Sequence, residues 1–292
     1  MSASPVGGGS KTRSVRVEPR GGVAGRTIAQ LMDLTDRRAL VTGGAGHLGR
    51  VVADTLVELG ATVVVSDRDE ATCRTVAESL CRRRADAAIG LVSDLTDESA
   101  TRALARDTAK RLGGLDIVVH CAAHVGAASH VKGWAVPFEQ QTIEAWDMGL
   151  RVNLTAPFII AQEAREALAR SGHGSIILVG SIYGVVAPDH RLYAGTSMAH
   201  PGAYSASKGG ITQLTRYLAS TLAPRVRVNA VSPGGIWRQQ PEVFRERYEA
   251  RTPLARMAVE EDMKGAIAYL ASDLSAYVTG QNLLVDGGWT VW

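Results

Sequence analysis

The chain has 292 residues, 46% of them hydrophobic and 21% charged, with a formal net charge of +3. That composition is ordinary for a soluble globular protein, and the length supports a large α/β core without disulfides or metals to staple it. Three cysteines with no CxxC spacing exclude a disulfide framework and suit a reducing cytoplasm; Cys73 and Cys81 lie about two turns apart on one predicted helix, too far to bridge. The stretch 172–188, free of Asp, Glu, Lys and Arg, carries His, Ser, Gly and Tyr and reads as strand plus loop, not as a bilayer span.

Charge is unevenly placed. Residues 1–30 hold Lys11, Arg13, Arg16, Arg20 and Arg26 against Glu18 alone, leaving 27 basic and 28 acidic side chains in residues 31–292. The first segment lacks the apolar run of a secretory signal and is expected to be a disordered basic leader. Residues 31–292 are expected to form one near-neutral domain without the basic face of a nucleic-acid binder.

From residue 38 onward, short β-branched runs alternate with helical patterns, the signature of βαβ units and a doubly wound parallel sheet. The first predicted strand, 39–42, runs into Thr42-Gly43-Gly44-Ala45-Gly46-His47-Leu48-Gly49 and a helix over 50–59. A glycine-rich turn in that setting lets backbone and helix-terminal N–H groups approach a pyrophosphate. The second strand, 62–66, leads to Asp67, where a carboxylate can accept from adenosine ribose hydroxyls and repel a 2′-phosphate; this favours NAD over NADP, against the neighbouring cation Arg68. Further strands are predicted at 88–93, 117–120, 175–180, 226–231 and 283–285.

Ser181 follows the fifth strand at the carboxyl edge, where parallel sheets bind ligands, and its hydroxyl can hold a substrate oxygen. Asn153 lies in the helix before that strand. In Tyr204-Ser205-Ala206-Ser207-Lys208, Tyr and Lys at i and i+4 share one helix face, so the ammonium is expected to lower the phenol pKa toward neutrality and make Tyr204 a general acid or base. The helix, expected over 203–221, carries an apolar stripe at Ile211, Leu214, Leu218 and Leu222. His120 and His124 are four apart, but a third ligand is missing and no metal site is expected.

From residue 31 to the end, the chain resembles the short-chain dehydrogenase/reductase family, with a single-domain Rossmann fold. The matches are the Thr42 to Gly49 turn, Asp67, Asp94, Asn153, Ser181, the Tyr204/Lys208 pair, Pro233-Gly234, and Tyr277-Val278-Thr279-Gly280-Gln281 with Val285-Asp286-Gly287-Gly288. The resemblance implies that Tyr204 exchanges a proton with a carbinol or carbonyl oxygen positioned by Ser181, that Lys208 binds the nicotinamide ribose, and that Asn153 orders a water in the proton relay. It also places Asp94 at the adenine amino group and Pro233-Gly234 beside the nicotinamide. The implied cofactor contacts are Gly43, Gly46, His47, Leu48, Gly49, Asp67, Arg68, Asp94, Leu95, Ala122, Ala123, Tyr204, Lys208, Pro233, Gly234 and Ile236. It further implies a small-molecule alcohol or ketone substrate and a homodimer or homotetramer built through the 203–221 helix and the last strand.

Several features depart from the short branch of that family. His47 stands where a glycine is usual, and His120-Cys121-Ala122-Ala123 replaces Asn-Asn-Ala-Gly; both resemble the extended branch, which includes sugar-nucleotide epimerases and dehydratases. Arg238 stands where a Thr often follows the Pro-Gly turn and offers a cation for a phosphate or carboxylate. The segment 182–203 is longer than usual and polar, entering at Ser181 and leaving at Tyr204. It is therefore expected to border the substrate, with Tyr183, His190, Arg191 and Arg238 as contacts, and to select a polar, sugar-like molecule. The segment 237–257 is expected as a lid or a surface helix. A hydride-transferring oxidoreductase is the leading reading, beside an epimerase or dehydratase with tightly held NAD and a non-catalytic dinucleotide-sensing scaffold. Resemblance to bacterial dehydrogenases of surface-sugar and flagellin-glycan synthesis points to the same substrate class.

Overall fold

A computed structural model of the chain describes residues 25–125 and 131–292. The first 24 residues of the expected leader lie outside the described residues. Residues 25–30 do not continue it: Thr27 caps α1 (Ile28–Met32) through a reciprocal capping box with Gln30, and Arg26 pairs with Asp273 at 2.6 Å.

The elements then alternate as β1 (Arg38–Thr42), α2 (His47–Glu58), β2 (Thr62–Asp67), α3 (Glu70–Arg83), β3 (Ala88–Val92), α4 (Glu98–Arg111) and β4 (Ile117–His120). α5 (Ile143–Leu150) passes through a π-helical turn, Arg151–Thr155, into α6 (Ala156–Ser171). β5 (Gly174–Val179), α7 (Gly202–Leu222), β6 (Val226–Pro233), α8 (Glu242–Arg251), α9 (Lys264–Ala271) and β7 (Asn282–Val285) complete the chain. All seven predicted strands form, with ends shifted by a residue or two. α2 starts at His47 rather than Arg50 because Gly46 is already its N-cap.

The strands pair in parallel in the order β3-β2-β1-β4-β5-β6-β7. Order reverses between β1 and β4, so their carboxyl ends open a crevice, the place where open α/β sheets bind ligands. Strand periodicity divides the core. Val41, Val63, Val65, Val119 and Ile177 face one layer, with α2, α3 and α9, while Leu40, Val64, Val118, Ile176 and Leu178 face the other, with α4, α6 and α7. Burial on both faces is why these strands read as continuous apolar runs. In the predicted stripe of α7, Ile211 and Leu218 are buried in the second layer and Leu214 and Leu222 pack on its rim.

At the amino ends of the strands, Arg38 binds Asp116 at 2.7 Å, while Asp273 receives Arg26, Arg37 and His173. These polar contacts close the edge opposite the crevice. Among the described residues, no helix is long and apolar enough to cross a membrane.

Candidate active site

The glycine turn between β1 and α2 is built for close approach. Gly43 has φ of 61°, and a Cβ there would lie 2.6 Å from the Ala122 backbone beyond β4. A Cβ on Gly49 would fall onto the Gly43 carbonyl oxygen. The N-termini of α3, α4 and α5 are capped by the side chains of Asp69, Asp97 and Thr142, whereas Gly46 gives α2 no side-chain cap. The first amides of α2, with their positive dipole end, therefore fit an anionic pyrophosphate.

Asp67 ends β2, next to that turn, with Oδ1 accepting from the Arg68 amide at 2.8 Å. Gly46, His47, Arg68 and Asp94 are exposed at the same edge. His124 is held below its ordinary pKa by burial and then by the Arg68 charge, while Asp94 opposes the shift, which ties the ends of β2 and β3 electrostatically to the segment after β4. Leu95 is buried in the second core layer next to Asp94. Leu48 packs against the first layer. Pro233 closes β6, Gly234 donates to the Val285 carbonyl at 3.0 Å, and Ile236 bridges to Ala258.

The predicted catalytic residues converge at the ends of β5 and α7. Ser181 follows β5, is 6% exposed, and its Oγ accepts from the Tyr183 amide at 3.2 Å, which leaves its own proton available. Tyr204 and Lys208 lie one turn apart on α7, with Lys208 Nζ 5.6 Å from the tyrosine ring centroid. Lys208 is 2% exposed and donates to the Val179 carbonyl at 2.7 Å. Burial pushes its pKa down to about 8.

The expected depression of the Tyr204 pKa is corrected here. Burial raises it, with the Ser181 hydroxyl and the Arg238 charge acting in the lowering direction. Desolvation of the phenolate outweighs the opposing groups.

Asn153 sits in the π-helical turn and is fully buried. Its Oδ1 accepts from the His124 amide at 2.8 Å, and its Nδ2 donates to the His124 carbonyl and to Ser207 Oγ at 3.3 and 3.1 Å. The side chain thus joins the segment after β4 to α7 one residue before Lys208, a role that Ser207 gave no sign of in sequence.

His120 is also structural. Its Nε2 lies 3.2 Å from the Val152 carbonyl, so the proton belongs there and Nδ1 accepts from Thr42 Oγ1 at 2.8 Å. Burial pushes its pKa down to about 3, which keeps it neutral while it ties β4 to β1 and to the π turn.

The segment between Ser181 and Tyr204 folds back on the site, with His200 edge-on to Tyr183 and to Tyr204. His190 and Arg191 are exposed, and the Arg191 guanidinium is held by Asp189, which Arg251 also grips. Arg238 is exposed and its Nε binds Glu260 at 3.0 Å. Tyr183 is brought to the site, its ring meeting His200 edge-on at 4.5 Å and Trp289 at 6.1 Å. The 237–257 segment contains α8, whose Phe244 and Tyr248 are buried with Ile182, Leu192, Met257 and Trp289; it is a packed helix.

A dinucleotide turn at the switch point of a parallel sheet, with a Ser-Tyr-Lys group on the neighbouring elements, defines a nicotinamide-dependent oxidoreductase. The family model described as "Enoyl-(Acyl carrier protein) reductase" matches residues 43–290. The cis-4-hydroxycyclohexanecarboxylate dehydrogenase of Sinomonas cyclohexanicum is 35% identical over 263 residues, covering 87% of this chain and 97% of its own. The probable galactose dehydrogenase of Rhizobium meliloti is 32% identical over 269 residues, covering 89% and 97%. A gluconate 5-dehydrogenase from Burkholderia cenocepacia, solved with NADP and tartrate, superposes with a TM-score of 0.79 at 29% identity, covering 90% of this chain and 99% of its own. The chain belongs to the short-chain dehydrogenase/reductase family. It is an oxidoreductase acting on CH–OH groups with a nicotinamide dinucleotide cofactor.

Proposed function

We propose that the protein transfers hydride between NAD(H) and a secondary alcohol or ketone on a polar, sugar-like or hydroxylated cyclic substrate. The observation that carries this is the convergence of Ser181, Tyr204 and Lys208 beside the glycine turn, with Asn153 locking the neighbouring backbone. The nicotinamide, when bound, supplies or accepts the hydride. Ser181, its oxygen already accepting from the Tyr183 amide, donates to the substrate oxygen and fixes it. Tyr204 takes the carbinol proton in oxidation and returns it in reduction. Lys208 keeps two N–H groups beyond the one given to Val179, for the nicotinamide ribose and for a water ordered near Asn153. A charged Lys208 also favours the phenolate once the site is filled.

Asp67 supports NAD over NADP, since its carboxylate stands at the end of β2 where a ribose hydroxyl is a partner and a 2′-phosphate is repelled. Cyclic and sugar-like substrates are supported by the relatives named for a hydroxycyclohexane carboxylate and for galactose. The dehydrogenase names and the near-complete mutual coverage favour net oxidation or reduction over epimerisation. Exposed Leu283 and Leu284 on the edge strand β7, with Tyr217 exposed on α7, support a homodimer or homotetramer through those elements. A cytoplasmic location fits the three free cysteines. The test is a panel of polyols, aldoses, cyclic alcohols and their ketones, read by NADH and NADPH absorbance. Turnover of a hydroxylated ring with NAD is expected, and turnover confined to acyclic unsubstituted ketones with NADPH would refute the proposal.

A further inference from the structure

Three polar side chains between the catalytic serine and tyrosine, with Ser205 just beyond the tyrosine, form a chain that the reaction as described does not use. Ser205, adjacent to Tyr204, lies 2.8 Å through its Oγ from His200 Nε2. His200 Nδ1 lies 3.4 Å from the Tyr193 hydroxyl, which lies 3.2 Å from the Tyr183 hydroxyl. His200 sits between the two tyrosines of interest, edge-on to Tyr183 at 4.5 Å and to Tyr204 at 5.7 Å. Trp289 closes the far side of Tyr183.

Such a chain can run in either direction. If Ser205 donates to Nε2, then Nδ1–H donates to Tyr193, Tyr193 donates to Tyr183, and the Tyr183 proton is left for a ligand. If Tyr183 donates inward, every bond reverses, Nε2–H donates to Ser205, and the Tyr183 oxygen can accept from a ligand. Both directions need a neutral imidazole with one N–H, and burial pushes the His200 pKa down to about 4. The Tyr183 backbone amide meanwhile binds Ser181 Oγ, so the residue that ends the chain is tied to the residue that holds the reacting oxygen.

We propose that the Tyr183 hydroxyl is a subsite for a second oxygen on the substrate, next to the reacting carbinol, and that His200 and Tyr193 are positioning residues that aim it. The substrate class is a ring bearing vicinal oxygens. The subsite rests on the oxidoreductase reading above. It identifies what the long segment between Ser181 and Tyr204 contributes: His200 and Tyr193 lie within that segment and reach Tyr183 only by its folding back. A site that hydrogen-bonds a substrate hydroxyl discriminates strongly against the analogue lacking it, because the buried partner is then left unpaired.

The test compares cis-cyclohexane-1,2-diol with cyclohexanol in the full-length enzyme with its nucleotide. The wild type is expected to favour the diol at least about 10-fold in kcat/KM. Tyr193→Phe and His200→Phe should lose most of that preference, mainly through a higher KM for the diol, with cyclohexanol changed less than about twofold and nucleotide titration unchanged. His200→Gln, which keeps a donor and an acceptor, should restore part of the preference. Independently of turnover, the imidazole ¹⁵N resonances of His200 should move on addition of the diol and not of cyclohexanol. Equal losses on both alcohols, or a diol that leaves the resonances in place, overturns the subsite. Turnover of neither alcohol with a diol-dependent shift instead refutes the reaction and leaves the subsite standing.

Discussion

Lys208→Met separates what the buried lysine does for the reaction from what it costs the fold. The ammonium is 2% exposed, its pKa is pushed from 10.5 to about 8 by burial, and it donates a hydrogen bond to the Val179 carbonyl. Because the folded-state value is depressed, the unfolded chain binds more protons between pH 8 and 10.5, and stability rises with pH across that window. Below pH 8 the full penalty applies, about 3 kcal/mol for this shift. Methionine has a similar length without the charge, but leaves the carbonyl unpaired at a cost of about 1–2 kcal/mol. Lys208→Met is therefore expected to be about 1–2 kcal/mol more stable than wild type at pH 7, a rise in Tm of roughly 2–6 °C. The advantage should shrink above pH 8 and change sign toward pH 10, while turnover falls at least about 100-fold. Urea unfolding followed by circular dichroism at pH 7, 8.5 and 9.5 measures it. A variant less stable than wild type by the same amount at all three values would refute the desolvation argument.

Tyr204→Phe removes the proton-exchanging hydroxyl and its contact with the Ser181 hydroxyl, so kcat should fall about 10²–10⁴-fold with thermal stability within about 1.5 kcal/mol of wild type. Steady-state rates and melting curves check it, and retained turnover would exclude Tyr204 as the acid–base group. Asp67→Ala should weaken NAD binding and raise NADPH use relative to NADH, as read by paired titrations. If the wild type already prefers NADPH, the neighbouring Arg68 rather than Asp67 sets the choice.

The parts legible in sequence were those written locally. Parallel strands buried on both sides announce themselves as β-branched runs, and Val63-Val64-Val65 fills both core layers as that pattern requires. The glycine turn and the Tyr204/Lys208 spacing were equally local. What escaped were contacts between residues far apart in the chain. Thr42 and His120 meet across 78 residues, and Asn153 and Ser207 across 54. Nothing near Arg238 in sequence marks Glu260, 22 residues on, as the carboxylate that neutralises it. The Tyr204 pKa failed for a related reason: the i,i+4 spacing supplies the cation, but only the packed structure reveals how much water is lost around the phenol. His200 was visible as one polar residue in an unusual segment, and its alignment with Ser205, Tyr193 and Tyr183 required the segment to fold back on itself.

The amino-terminal helix has a practical corollary. Arg26 docks on Asp273, which also holds Arg37 just before β1 and His173 just before β5, so the polypeptide enters the domain at the amino ends of the strands. Ser181 stands at the other end of β5, on the carboxyl side. An affinity tag, a fluorescent fusion or a solid support joined ahead of residue 25 would thus be tethered on the side of the sheet away from the mouth of the active site. Immobilisation by that end should orient the enzyme with its substrate entrance facing the solution.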